Sequence, residues 1–289
     1  MANYINLSDE QGSIDRFDVP SRIKGEKGTE YTLGYARKGG GNGVVFEARR
    51  ESVRFHAQCA VKILKRQDAV RIDRFENEIR IQEALDHPRI AKLFDHGHFD
   101  TGGRNVPWAA MELGDANLRQ HVEEPGALPI AKLLETGQDM CAALSHLHGK
   151  NIIHRDVKPE NFVWSQRDQR PVMIDFGIAK YIGEDVAHRP LDQFTLHMDF
   201  VGPVFFSSPE LIEYSRNKRH PVDHRSDLFQ IAMVIWFLAT NRISAGIPSK
   251  RLCPFGGRLH SIICQCLNQD PDDRPRSADS LATLLQGLA

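Results

Sequence analysis

The chain has 289 residues, of which 41% are hydrophobic and 26% charged, and its formal net charge is −1. That length suits one large domain or two lobes with substantial cores, and the composition excludes general disorder. The charge balance gives no bulk attraction to nucleic acid or to an anionic membrane surface. In chain order, residues 1–30 are mixed and polar, and read as an N-terminal extension. They hold no basic region followed by an apolar one, so no secretory leader is expected. From Tyr31 to Leu113, short β-rich runs surround one helical stretch: YTLGYA, GVVFEA, CAVKIL, IAKLFDHGHF and WAAMEL predict strands, and DTGGRN predicts a hairpin turn. Ile72, Phe75, Ile79, Ile81 and Leu85 recur at helical spacing and predict a helix over Arg71 to Leu85. Beyond Leu113 the pattern is mostly helical, with one apolar face traced from Ile130 to His148. IAMVIWFLA, Ile231 to Ala239, is apolar all round. It predicts a helix buried at a domain centre and is too short to span a bilayer. The expected fold class is α+β and bilobal, with a small β-rich lobe carrying one key helix (31–113) and a larger α-rich lobe (114–289). With no leader or span, five cysteines read as reduced thiols and the protein as soluble and cytoplasmic.

Four stretches carry chemistry. In RKGGGNGVVFEA, glycines permit tight turns, and their N–H groups can approach phosphate oxygens; taken alone, the stretch fits a flexible hairpin equally well. It is not a Walker loop, because no Gly-Lys-Ser/Thr closes it. In AVKIL, Lys62 sits within an apolar strand and, if buried, requires a carboxylate such as Glu78 of the following helix. In HRDVKPEN, Asp156 can accept a proton, Lys158 can steady negative charge, and Asn161 offers a carbonyl oxygen to a hard cation. VMIDFGIAK then ends an apolar strand at Asp175, a second metal-ligand type. Each residue alone has a plain structural reading as a cap, a turn or a solvated surface group; their order and spacing together make that reading poor.

The combination resembles a protein kinase of the eukaryotic-like Ser/Thr class, from about Tyr31 to the C-terminus. The resemblance rests on the glycine loop, AVKIL, FENEIR, HRDVKPEN, DFG, SSPE and DPDDRP. It implies a kinase-like bilobal fold, ATP and Mg²⁺ as cofactors, and a protein substrate presenting Ser or Thr. Gly40, Gly43, Val45 and Ala60 are then expected around the nucleotide, with Met111 as gatekeeper and Glu112 and Leu113 opening the hinge that meets adenine. Lys62 is expected on the α and β phosphates, paired with Glu78. Asp156 is the implied catalytic base, Lys158 its partner, and Asn161 and Asp175 the magnesium ligands. Glu210 is expected to pair with Arg274, and Asp227 to anchor the catalytic-loop backbone. A pseudokinase serving as a nucleotide-binding scaffold is the alternative, and the presence of Lys62, Glu78, Asp156, Asn161 and Asp175 weighs against it.

The sequence departs from the family pattern in several places. Lys38 falls where the loop's first glycine is usual, with Gly39 and Gly41 able to shift its register, and Asn42 replaces the aromatic residue common at the loop tip. Pro203 stands where Ser/Thr kinases usually carry threonine, which removes a hydroxyl and a backbone N–H. Thr195 is the one Ser or Thr between Ile178 and Val201, and Arg155 is the family's usual partner for a phosphate there. The stretch from Asn241 to Gly257 is short, so docking elements expected there are trimmed. Cys253, His260, Cys264 and Cys266 lie close together, but their spacing fits no standard zinc pattern and IICQCL reads as a helix face. The ending RPRSADSLATLLQGLA reads as the close of a stand-alone kinase domain.

Overall fold

The computed structural model describes residues 3–8, 14–37, 43–51, 56–123, 126–165, 167–182, 203–217, 219–244 and 246–288. By its contacts the chain divides into one unit of Met1–Ala84 with Ala91–Leu113, and a second of Leu85–Ile90 with Gly114–Ala289.

The first unit begins with an antiparallel pair, β1 (Asn3–Ser8) and β2 (Ile14–Val19). Strands β3 (Arg22–Lys24), β4 (Glu30–Arg37), β5 (Gly43–Glu51) and β6 (His56–Leu64) follow. Then come helix α1 (Ala69–Glu83), β7 (Leu93–Thr101) and β8 (Arg104–Met111). They form a six-stranded antiparallel sheet in the order β3-β4-β5-β6-β8-β7. Alternation along these strands sends side chains to two faces. Val44, Phe46, Val61, Ile63 and Trp108 enter one apolar cluster, and Ala60, Leu64, Ala109 and Met111 enter another with Phe75 of α1. Part of the 1–30 segment is built into this unit: β3 pairs with β4, and Phe17, Val19 and Ile23 are buried in the first cluster. Strands this short carry too few alternating positions to register in the sequence pattern. The DTGGRN turn is a two-residue connection in which Gly102 and Gly103 both have positive φ, the geometry that matches strand twist. Asp68 caps α1 by accepting from the Arg71 N–H.

The second unit carries β9 (Gly114–Asn117), α2 (Leu118–Glu123), α3 (Ile130–Gly149), β10 (Ile152–Ile153), β11 (Phe162–Ser165), β12 (Pro171–Met173) and β13 (Lys180–Tyr181). Helices α4 (Pro209–Arg216), α5 (Arg225–Thr240), α6 (Gly256–Cys266) and α7 (Ala278–Gln286) complete it. The expected central helix is α5, in which every residue from Leu228 to Ala239 except Phe229 is buried. Short antiparallel pairings, of β11 with β9 and β12 and of β10 with β13, flank the segment 154–161 and hold both of its ends. Arg274 donates to both carboxylate oxygens of Glu210, at 2.6 and 2.9 Å, with both side chains buried. This is the ion pair expected from SSPE and DPDDRP. Among the described residues, no helix is long and apolar enough to cross a membrane.

Candidate active site

In the sheet unit, Lys62 of β6 lies opposite Val45 of β5 and Ala109 of β8. Its ammonium is 2.7 Å from each oxygen of Glu78, which α1 presents from a buried position. Of the three glutamates in α1, Glu76 and Glu83 are exposed. The helix period therefore selects Glu78, three residues after buried Phe75. A buried ammonium is tolerable only with such a partner, and the bidentate contact fixes the lysine stem. Gly43 lies beside that stem: a Cβ there would lie 3.2 Å from the Ile63 carbonyl oxygen and 3.5 Å from Lys62 Cε. Ala60 pairs in register with Met111, and both belong with Leu113 to one apolar cluster, against which Val45 also packs. The Glu112 N–H donates to the Lys92 carbonyl at 2.9 Å. Gly40, the neighbouring Lys38, Gly39, Gly41 and Asn42, and Thr195 lie outside the described residues. Pro203 begins a 3-10 turn, Pro203–Phe206.

In the helical unit, four of the expected groups converge on one loop. Lys158 Nζ donates to Asp156 Oδ2 at 2.7 Å. Asn161 Nδ2 donates to the same oxygen at 2.9 Å and to the Asp156 carbonyl at 2.8 Å. With its amide nitrogen so committed, Asn161 keeps its carbonyl oxygen for another ligand. The Asn161 carbonyl on the main chain accepts from Ile174 N–H at 2.9 Å, which ties this loop to the residue before Asp175. Asp175 has a left-handed backbone, φ 65°, and accepts from the Gly177 N–H. Phe176 is buried with its ring centroid 5.3 Å from that of His154. Burial opposes charge on Lys158, but Asp156, Asp175 and Glu160 outweigh it and hold the ammonium above the usual lysine value. Burial pushes His154 below the usual imidazole value, so it stays neutral and its Nδ1 accepts from the Asp156 N–H.

The loop is held from beneath by α5. Asp227 is fully buried; its Oδ2 accepts from the His154 N–H at 2.9 Å and meets His148 Nε2 at 2.8 Å, and its Oδ1 accepts from the Arg155 N–H at 2.9 Å. Burial alone would raise the Asp227 carboxyl, yet the bonds from His148 and His154 hold it below the usual carboxylate range. One turn on, Gln230 accepts from the Val157 N–H and donates to the Arg155 carbonyl. These bonds secure Arg155 at φ 68°, a left-handed conformation unusual for a long side chain. The sequence reading missed His148 and Gln230. The signal available for Gln230 was a lone amide inside an apolar helix, three residues after Asp227. Cys266, at the end of the proposed helix face, is buried, and the Cys264 sulfur lies 3.5 to 3.7 Å from the ring nitrogens of His260.

A family profile described as protein kinase domain matches residues 38–284. The chain is 31% identical over 269 residues to the serine/threonine-protein kinase PknB of Mycobacterium leprae, covering 86% of this chain and 41% of that protein. It is 29% identical over 196 residues to the serine/threonine-protein kinase pkn2 of Myxococcus xanthus, covering 61% of this chain and 22% of that one. It thus spans less than half the length of either relative. A crystal structure of the Mycobacterium tuberculosis PknI kinase domain superposes with a TM-score of 0.68 at 26% identity, covering 94% of this chain and all of that one. The chain belongs to the protein kinase family, in its eukaryotic-like Ser/Thr branch, and has the bilobal α+β kinase fold.

Proposed function

We propose that the chain is an ATP- and Mg²⁺-dependent protein kinase that transfers the γ-phosphoryl group to Ser or Thr hydroxyls of a protein substrate and of itself. The observation that carries this reading is the Asp156 carboxylate, bound on one oxygen by both Lys158 and Asn161. A carboxylate so placed can take a proton from an attacking hydroxyl, while Lys158 offsets charge on the group in transit. The donor set also suits the implied cofactor. The oxygens of Asn161 and Asp175 are hard ligands of the type Mg²⁺ takes, and Lys62 is a cation fixed by Glu78 and suited to phosphate oxygens. Bound MgATP supplies the phosphoryl group and the metal charge that offsets its phosphates. Gly40, Gly43, Val45, Ala60, Met111, Glu112 and Leu113 line the nucleotide's binding surface in this reading. Residues 31–113 then form most of the nucleotide-binding lobe, joined by Phe17, Val19 and β3 of the 1–30 segment, and 114–289 form the lobe that carries the base.

The test is incubation with γ-labelled ATP and Mg²⁺, alone and with a generic basic protein. The expected result is label on Ser or Thr, lost on omission of Mg²⁺. Protein that takes up ATP yet labels neither itself, the basic protein nor a peptide library would overturn the proposal.

A further inference from the structure

Where the sequence is short after α5, the helical unit has a pocket of about 590 Å³. It is an open recess on the surface rather than an enclosed cavity, the form that a docking segment rather than a buried small molecule fits. Its walls include Leu128 and Pro129 ahead of α3, Arg242 after α5, and Arg251, Leu252 and Phe255 ahead of α6. We propose that this pocket is a docking site for an acidic peptide segment carrying a bulky apolar side chain, contributed by a partner protein.

Three independent features converge on that chemistry. The first is charge. The described lining holds two guanidinium groups and no carboxylate. Between Asp227 and Asp270 the chain carries Arg242, Lys250, Arg251 and Arg258 and not one Asp or Glu. Among the described residues neither Arg242 nor Arg251 has an ion-pair partner, as is also true of Arg155, Arg219, Arg258 and Arg276, whereas Arg89, Arg119, Arg170, Arg225 and Arg274 are paired. A pair of unmatched, forked donors suits carboxylates. The second is exposed apolar surface. Eight large hydrophobic residues are exposed among the described residues; one of them, Leu252, lines the pocket, Ile130 and Ile243 directly follow the lining residues Pro129 and Arg242 in the chain, and Ile247 lies on the segment between Arg242 and Arg251. Ile247 is 71% exposed and Leu252 47%. Such clustering, rimmed by polar groups, marks an interaction surface. The third is the start of α3, a 20-residue helix whose N-cap, Pro129, supplies no side-chain cap. Its first N–H groups and its dipole add to the preference for negative charge at the same wall.

The segment between α5 and α6 explains why this surface is open. Its described residues contain one 3-10 turn, Lys250–Leu252, and no longer helix to cover the end of α5. The apolar side chain of the peptide would fill the space among Leu128, Pro129 and Phe255, with flanking carboxylates on Arg242 and Arg251. Such contacts at a partly exposed site weaken as salt rises.

The experiment needs no nucleotide, so its outcome is separate from that of the phosphotransfer assay. A fluorescent peptide of alternating Glu and Leu is titrated into the full chain and followed by anisotropy. Peptides of alternating Lys and Leu, of Glu alone, and anionic phospholipid vesicles serve as comparisons. The expected result is saturable binding of the Glu/Leu peptide alone, weakened at least about tenfold by the double substitution Arg242→Glu, Arg251→Glu, two like-charge contacts replacing two attractive ones. A second measurement uses the native chain: the Glu/Leu peptide should slow alkylation of Cys253, which lines the pocket, and leave Cys264 unchanged. Equal binding of Glu alone, preference for the vesicles, retention of affinity in the double variant, or unslowed alkylation of Cys253 would each overturn the proposal.

Discussion

Replacing Asp227 by alanine tests how far α5 sustains the site. The substitution removes the acceptor of three bonds at once: two backbone N–H groups, of His154 and Arg155, and the ring of His148. Alanine offers no replacement, and the site is fully buried, so water does not compensate. An orphaned buried donor costs about 1–3 kcal/mol, so the two backbone groups alone account for about 2–6 kcal/mol. That is a large share of the about 5–15 kcal/mol that stabilises a typical domain. Arg155 also holds a left-handed backbone, worth about 1–3 kcal/mol of strain, which is restrained by the same bonds and by Gln230. Released, it would relax and carry Asp156 with it. Urea unfolding followed through Trp164 and Trp236, which lie in this unit, should give a loss in the stated range. Phosphotransfer should fall while nucleotide affinity holds. Asp227→Asn keeps one acceptor and sets an amide N–H against an N–H donor, so it should fall between the two. A stability loss under about 1 kcal/mol in Asp227→Ala, with unchanged transfer, would refute this account of the loop's support.

Asp156→Asn preserves shape and removes the proton acceptor; phosphotransfer should fall by about 10²–10⁴ with ATP binding retained by thermal shift, and a variant with near wild-type turnover would end the case for Asp156 as base. Arg274→Met strands the buried Glu210 carboxylate and should cost about 3–5 kcal/mol in urea unfolding. The double variant with Glu210→Leu should regain only part, because the Asn268, Gln269 and Arg225 carbonyls lose their donor too, and full recovery would contradict this. Burial holds His87, His146 and His154 below the usual imidazole value of 6.5. As pH drops through 6.5 the unfolded chain therefore takes up protons before the native one. The associated stability is intact above that pH and lost on acidification, by at most about 1.4 kcal/mol per pH unit for each such proton. The melting temperature should accordingly fall between about pH 7 and pH 5, less steeply in His146→Phe; a flat or rising profile would be incompatible.

The sequence by itself determined what local spacing can encode. HRDVKPEN is one contiguous turn, so Asp156, Lys158 and Asn161 are neighbours in almost any fold that seats the stretch in a loop, and their bonds span two and five positions. Helical periodicity likewise placed α1 and α3, the uninterrupted apolar run Ile231 to Ala239 placed α5, and the DTGGRN turn followed from glycine's access to positive φ. Glu78 was a candidate among several glutamates. The family resemblance named it, but residue spacing alone did not, because the pairing requires the sheet position of Lys62 and the buried face of α1 to coincide in space. The bonds of Asp227 and Gln230 to the loop join residues more than seventy positions apart. No spacing rule reaches that far, since the contact exists only once α5 is the buried axis of its unit. Short strands such as β3 were illegible because three residues carry no period, and their burial comes from the sheet they join. The pocket beside Arg242 and Arg251 belongs to the same class. The sequence shows the missing length and the absent acids, but it is the docking of α3, α5 and α6 that turns those absences into a surface, since shape and charge complementarity arise only where distant segments meet.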